Sequence, residues 1–419
     1  MAGTSWYSLD LASLQRHGRD VDWVLFSLPM VLMVVGGISI YSIGHATAQS
    51  YWWQHWVTGC VGLGLMLLLS RLRYELLARF HWLTYGLMLA SLVAVMFFGV
   101  TELGAERWIP VLGFHIQPSE FAKVGVIISL AALLSRHDIE TPWDVLRVVW
   151  VLLPPWILIF LQPNLGTSLV LVAITVGMIY WAGASGGWIL LALSPVVAAV
   201  LFHFLPLAWL GWSGFMGVVA WCSLAPWRGS SAIAAVVINL LSGQLGNWLW
   251  SLLHDYQKRR LLLFLDPGQD PTGGGYHLIQ SQIAIGAGHI WGKGFLKGTQ
   301  TQLNFIPEQH TDFIFSAIGE EFGYMGCVFV LLVFVGICGR LLVIAHTAKD
   351  NFGSLLAIGV FSFILFQTFI NIGMNIGVAP VTGIPLPWLS YGRSALLANF
   401  MAIGLVESVA VLRHRRQYY

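Results

Sequence analysis

The sequence predicts an all-α, polytopic integral membrane protein, and three observations carry that expectation. Of its 419 residues 57% are hydrophobic and only 10% charged, at a mean hydropathy of +0.75, which excludes a soluble globule of this length. The apolar residues fall in repeated runs of about 20, the length of helix that crosses a hydrocarbon core. Many of the 20 tryptophans flank those runs (Trp52, Trp53, Trp143, Trp181, Trp188), where an amphipathic ring anchors at the membrane interface.

In chain order, a polar start carrying Arg16, Arg19 and Asp20 reads as a cytoplasmic segment rather than a cleavable leader. Spans are expected at 23–43, 54–70, 80–100, 118–135, 148–162, 166–182 and 188–206, then at 324–345, 352–374 and 391–411. Basic residues alternate between the connections. Arg71, Arg73, Arg79, Arg136, Arg147, Arg340, Lys349 and the tail Arg413, Arg415 and Arg416 share one side, with Arg107 the exception on the other. By the positive-inside bias both termini are cytoplasmic.

Two further apolar runs, near 208–225 and 232–253, flank Pro226-Trp227-Arg228-Gly229. With an odd seventh span before them, either both cross or both stay out if the next loop is to remain outside. Arg228 favours crossing, for twelve spans in all; two interfacial helices are the alternative. The whole chain, 1–419, reads as a single membrane domain, with 208–253 an inserted helical pair and 255–312 a large extracytoplasmic loop. Segment 312–323 reads as an outer-surface amphipathic lead-in, with Thr311 or Asp312 as its N-cap, because it carries Glu320 and Glu321. The four cysteines (Cys60, Cys222, Cys327, Cys338) lie in apolar runs without ligand spacing and read as small buried hydrophobes.

Chemistry is expected in the loop Asp266–Asp312, the longest stretch without a membrane-length apolar run. It gathers Asp266, Asp270, Lys293, Lys297, Glu308 and Asp312 from a charge-poor chain; an ordinary exposed loop is the bland alternative. Glu120 and Lys123 in QPSEFAKVGVI are ionisable groups inside a span, three residues apart on one helix face. They either order that span or line a polar cavity. Pro118 suits the first turn there, and Asn164 and Thr167 in LQPNLGTS suit the cap of the sixth span. Arg107 with Trp108 could hold an anion at the outer surface or serve as an interfacial anchor. The proline- and glycine-rich APVTGIPLPWLSYGRS cannot be regular helix, so it either lines a cavity, is buried in protein or forms an outer loop. No phosphate loop, dinucleotide fingerprint or metal motif is present.

These motifs together resemble the RodA branch of the SEDS family (shape, elongation, division and sporulation proteins). The loop DPGQDPTGGGY continues through IAIGAG to GKGFLKGTQTQLNFIPEQHTDFIFSAIGEEFG, and GAERWI, QPSEFAK, QPNLGTS and PVTGIPLPWLSYG occur in the family's order. The resemblance covers nearly the whole chain outside about 208–253, and the GTQTQL run is similar to RodA rather than to the division paralogue FtsW.

The resemblance implies a peptidoglycan glycosyltransferase that polymerises lipid II at the outer face of the plasma membrane. It implies partnership with a class B penicillin-binding protein transpeptidase and with elongation-machinery membrane proteins, and no nucleic acid. Its loop aspartate matches Asp270, assigned as the catalytic base; Asp266 is weaker, because division paralogues commonly carry Asn there. Arg107, Glu120, Lys123, Lys293, Glu308 and Asp312 form the expected substrate-binding set. A divalent cation bridging a carboxylate to the diphosphate is compatible with the chemistry, but no metal-site spacing supports one.

Two residues depart from the family pattern: Asn164 where Asp is usual, and Arg393 where Gly is usual. The first removes a counter-charge from beside the Glu120–Lys123 pair; the second adds a cation at a cavity or a snorkelling anchor. Two other functions fit a many-span protein with internal charges. A lipid II flippase would need polar groups at several depths, and a non-catalytic scaffold for the transpeptidase would make the loop carboxylates dispensable.

Overall fold

The computed structural model describes residues 21–47, 51–102, 105–111, 114–136, 139, 141–224, 228–252, 258, 263, 274–306 and 308–414. Asp266 and Asp270 lie outside the described residues, as do Arg16, Arg19 and most of the loop between 253 and 273.

The helices run α1 (Trp23–Thr47), α2 (Tyr51–Arg71), α3 (Tyr74–Arg79), α4 (His81–Phe98), α5 (Pro118–Leu134), α6 (Pro142–Leu161), α7 (Leu165–Trp181), α8 (Gly186–Phe204), α9 (Pro206–Ser223) and α10 (Arg228–Leu252). Then come α11 (Gly274–Ala287), α12 (Thr299–Gln302), α13 (Ile314–Thr347), α14 (Asn351–Ile376) and α15 (Arg393–His414). The long helices stand at the expected places, and among the described residues eight are long and apolar enough to cross a membrane: α1, α4, α6, α8, α10, α13, α14 and α15. Local signals start several of them. Pro118 occupies the first turn of α5, where no N–H is needed. Thr141 and Asp144 close a capping box on α6. Asn164 caps α7, and Asp350 caps α14 by accepting from Gly353 N at 2.7 Å.

The expected outer loop at 100–116 is instead a small antiparallel sheet, β1 (Val100–Glu102), β2 (Ala105–Val111) and β3 (Phe114–Ile116), in that order. Ile109 pairs with Ile116 and Val111 with Phe114. Pairing satisfies the backbone of a segment too short and too glycine-broken for a helix.

The core is built on α5, α14 and α15. On α5 nearly every side chain from Pro118 to Leu134 is buried, so this helix is wrapped by protein on all sides. Its neighbours are α4, α7, α14 and α15, and α15 also packs along α2. By contrast, among the described residues α8, α9 and α10 pack chiefly on one another, with a smaller contact between α8 and α7. The predicted inserted pair is thus part of a three-helix unit that includes α8. The outward faces of this unit are apolar, with Leu207, Val218, Ile233 and Leu245 all exposed. Cys60 and Cys222 are exposed on such outer faces, while Cys327 is buried as expected and Cys338 is half-buried.

The segment before the expected span 324–345 departs most from expectation. It is no surface helix: Ile314–Glu321 is fully buried, with Glu320 at 0% and Glu321 at 2% exposure. Its N-cap is Phe313 without a side-chain bond, while the Thr311 hydroxyl turns back to Glu308. Polar partners from the preceding loop cover the two carboxylates, which is why the acids can face inward.

Candidate active site

The intramembrane pair forms as its spacing predicts. Lys123 Nζ lies 2.7 Å from Glu120 Oε2, and the two side chains are 1% and 4% exposed. The ammonium also sits 4.6 Å from the centroid of the Phe363 ring, a cation–π contact from α14. At the adjacent turn, Asn164 Nδ2 donates to Ser119 Oγ at 3.2 Å while its Oδ1 accepts from Thr167 N at 3.3 Å. The amide therefore serves both the α7 cap and α5 without adding a charge.

From Phe363 a stripe runs along α14. Phe363, Gln367, Asn371 and Asn375 follow at intervals of four, so they share one face, and each is fully buried. Gln367 Nε2 donates to Pro385 O at 3.2 Å, and Asn371 Nδ2 donates to Ile384 O at 2.7 Å and Asp312 O at 2.9 Å. Asn375 Nδ2 adds a second bond to Asp312 O at 3.1 Å, and its Oδ1 accepts from Ser316 Oγ at 2.5 Å. Twelve helical residues rise roughly 18 Å. One helix face thereby joins the depth of the ion pair to the loop, and holds the non-helical segment 379–390 between them. That segment is buried in protein, with Leu386, Trp388 and Leu389 at 1% exposure or less. Arg393 stands half-buried at the first turn of α15 beside it.

The polar loop is clamped across α13. Residues 289–294 cross it where the helix breaks at Gly323 (φ 66°, ψ −163°). Lys293 N donates to Glu320 O at 2.9 Å, Gly294 N to Glu321 O at 3.0 Å, and Tyr324 N to His289 O at 2.9 Å. The Glu320 carboxylate then gathers the turn that follows. Oε1 accepts from Lys293 Nζ (2.9 Å), Thr299 Oγ1 (3.2 Å) and Gln300 N (2.9 Å); Oε2 accepts from Thr301 N (2.8 Å) and Thr301 Oγ1 (2.7 Å). Glu321 points the other way and accepts from Ser42 Oγ of α1 at 2.5 Å, while Gln302 Nε2 donates to Ser42 O at 3.1 Å. Further along, the half-buried His310 ring stacks on Tyr51 at 4.8 Å. Burial holds its imidazole below the usual value, against the opposing pull of Glu308.

The expected site residues thus divide into groups. Lys293 joins the Glu320 unit. Asp312 lends its main-chain carbonyl to the α14 stripe, and the exposed Glu308 accepts from the Thr311 hydroxyl at 3.2 Å. Glu120 and Lys123 face each other deeper in the protein. Arg107 on β2 turns its guanidinium to the carbonyls of Gln162 (3.2 Å) and Pro163, tying the sheet to the α6–α7 connection. Sequence reasoning took Glu320 for part of a surface helix rather than a site residue, and passed over the amides Gln367, Asn371 and Asn375. The amides carried a signal, since their spacing of four repeats through an apolar span. Among the described residues, no group of three His, Cys, Asp or Glu side chains is placed to hold a metal ion.

Comparison with known proteins fits this geometry. The family described as Cell cycle protein, which groups FtsW, RodA and SpoVE, matches residues 20–213 and 208–416. The peptidoglycan glycosyltransferase MrdB of Escherichia coli (strain K12) is 33% identical over 387 residues, 91% of this chain and 92% of that protein. The peptidoglycan glycosyltransferase RodA of Treponema pallidum (strain Nichols) is 35% identical over 427 residues, 94% of this chain and 98% of the relative. Among solved structures, a chain from a peptidoglycan synthase complex that coordinates polymerization and crosslinking superposes with a TM-score of 0.69. It is 28% identical, covering 95% of this chain and 98% of the other.

Proposed function

The chain belongs to the cell cycle protein family of FtsW, RodA and SpoVE, and on that premise we propose that it polymerises lipid II into glycan strands during cell elongation. It is a multi-pass membrane protein and a peptidoglycan glycosyltransferase. The observation that carries the finer reading is the clamped loop, which concentrates hydrogen-bonded polar groups in the stretch of sequence that also carries Asp270.

Joining a sugar hydroxyl to an α-linked diphosphate sugar with inversion needs two things: a base for the hydroxyl proton and positive charge for the departing diphosphate. Asp270 is the proposed base. Its carboxylate takes the proton as the acceptor oxygen forms its bond to the anomeric carbon, and the bond to the diphosphate oxygen breaks. Among the proposed cations, Lys293 suits the leaving group best, because its side chain is 29% exposed. Lys123, at 1% exposure, is already paired with Glu120 and covered by the Phe363 ring, and suits a structural task. In this reading the loop is extracytoplasmic, both termini are cytoplasmic, and the lipid surroundings are those of the plasma membrane. The partners are a class B penicillin-binding protein transpeptidase and elongation-machinery membrane proteins, in keeping with the synthase complex that resembles this chain.

The decisive experiment pairs Asp270→Asn with Asp266→Asn and follows glycan-strand formation from labelled lipid II. Asp270→Asn keeps size and much hydrogen bonding but cannot accept the proton, so polymerisation should fall by roughly 10²–10⁴-fold. Asp266→Asn should fall far less. Near-parental polymerisation by Asp270→Asn would defeat the assignment and favour the scaffold function. Lipid II translocation in liposomes, with no polymer made by the parent, would favour the flippase.

A further inference from the structure

The Glu320 carboxylate does more than close a loop. It is 0% exposed, yet it receives five donors from residues 293–301, four of them in the Thr299–Thr301 turn and the fifth the Lys293 ammonium. Space around it leaves no slack, since a methyl group at Gly298 would come within 2.7 Å of Glu320 Oε2. The Thr299 hydroxyl accepts from Lys293 Nζ at 2.6 Å and donates to Oε1 at 3.2 Å, so ammonium, hydroxyl and carboxylate form a closed triangle. Two of the three ammonium donors are thereby directed inward among the described residues, on a side chain that remains 29% exposed. That leaves the third N–H of a part-exposed ammonium for an incoming acceptor.

We infer that Glu320 is a positioning residue for the glycosyl transfer: it holds Lys293 and the 299–301 turn as one rigid unit, so that the Lys293 ammonium meets the diphosphate of the lipid-linked donor. This rests on the polymerase function proposed above and names the group that receives the leaving diphosphate. A mobile lysine would spend its binding energy on being ordered, whereas one fixed beforehand loses little freedom when the anion arrives. The carboxylate lowers the net charge of the unit without silencing it. Its charge is spread over five donors, four of which are not Lys293.

The test uses full-length protein in nanodiscs, with undecaprenyl diphosphate titrated as a binding probe and lipid II polymerisation measured in parallel. Glu320→Gln keeps the shape but replaces one acceptor oxygen with a donor. Lys293→Ala removes the ammonium at a part-exposed position where folding is expected to survive. Each should weaken undecaprenyl diphosphate binding and raise KM for lipid II about tenfold, the scale of one hydrogen bond to a charged group, with a smaller change in kcat. The double variant should bind no more weakly than the weaker single. Thr301→Ala removes one Glu320 donor without touching Lys293, and should lower the unfolding midpoint but leave affinity in place.

Parental affinity in Lys293→Ala overturns the inference, even if Glu320→Gln fails to fold. Additive losses in the double variant, or an affinity loss in Thr301→Ala equal to that in Glu320→Gln, would also overturn it by making Glu320 a mere structural cap. A parent that forms no glycan strands, yet shows the expected affinity series, removes the polymerase function and leaves the diphosphate site standing.

Discussion

At the scale of single residues, two buried acids illustrate opposite solutions to one cost. Glu120 is neutralised by a single lysine one turn away, whereas Glu320 is spread over five donors drawn from another segment. A charge left alone in either place is expensive. Lys123→Met strands the Glu120 carboxylate and should cost about 3–5 kcal/mol, read as a lowered unfolding midpoint and reduced folded yield. Combining it with Glu120→Gln removes both charges and should restore much of that stability. If the single variant accumulated and unfolded like the parent, the pair would have no structural role. The Glu120–Lys123 pair was legible in the sequence because both partners sit three residues apart on one helix. The role of Glu320 was not: its donors lie 19–27 residues away, and the GEE run reads equally well as a solvated face. Asn164 shows the same rule from the other side, since a cap is a local contact and was read correctly.

Among the elements, the loop and the broken helix α13 explain each other. Gly323 adopts a positive φ that no β-carbon tolerates well, and a methyl group there would come within 2.3 Å of Gly292 N and 2.7 Å of Ile290 O. The close crossing lets the loop backbone pair with the chain at the break, which delivers Lys293 to Glu320. Gly323→Ala should therefore destabilise the protein by about 1–3 kcal/mol or more and loosen the loop, seen as faster labelling of a cysteine placed at 297. The control is Gly339→Ala on the same helix, where a methyl meets nothing within 4 Å and helix propensity alone favours the change. Equal behaviour of the two variants would show that the break has no part in holding the loop. Helix positions were legible here because apolar run length and capping residues are local. The sheet at 100–116 was not, for its three short strands are stabilised only by pairing with one another. The joining of α8 to α9 and α10 likewise depends on packing that no spacing within α8 announces.

Over the whole molecule, charge and contact agree on two distinct ends. Asp22, before α1, holds Arg340 through its guanidinium at 2.6 Å, and Asp22 N donates to Glu407 at 3.2 Å. Near the same end Lys349 approaches Glu75 at 3.7 Å, and Tyr74 donates to Asp350 at 2.8 Å. These contacts join connections that the basic-residue bias assigns to the cytoplasm. About 30 Å along α1, Ser42 meets Glu321 and the clamped loop. The loop and the basic ends are therefore separated by the length of a membrane-crossing helix, which supports an extracytoplasmic loop. The α9–α10 connection extends the argument to those two helices. Arg228 is exposed at the start of α10, a helix whose segment Arg228–Gly246 is long and apolar enough to cross. If α9 and α10 both cross, a cysteine at 228 should react with a membrane-impermeant thiol reagent only after the inner face is opened, whereas cysteines at 270 and 300 should react in intact cells. The background must lack Cys60 and Cys222, which are exposed. Labelling of 228 in intact cells would place α9 and α10 as interfacial helices on the outer surface. Protection of 270 and 300 under the same conditions would be more damaging, because it would put the loop on the side where lipid II is made rather than where its glycan is polymerised.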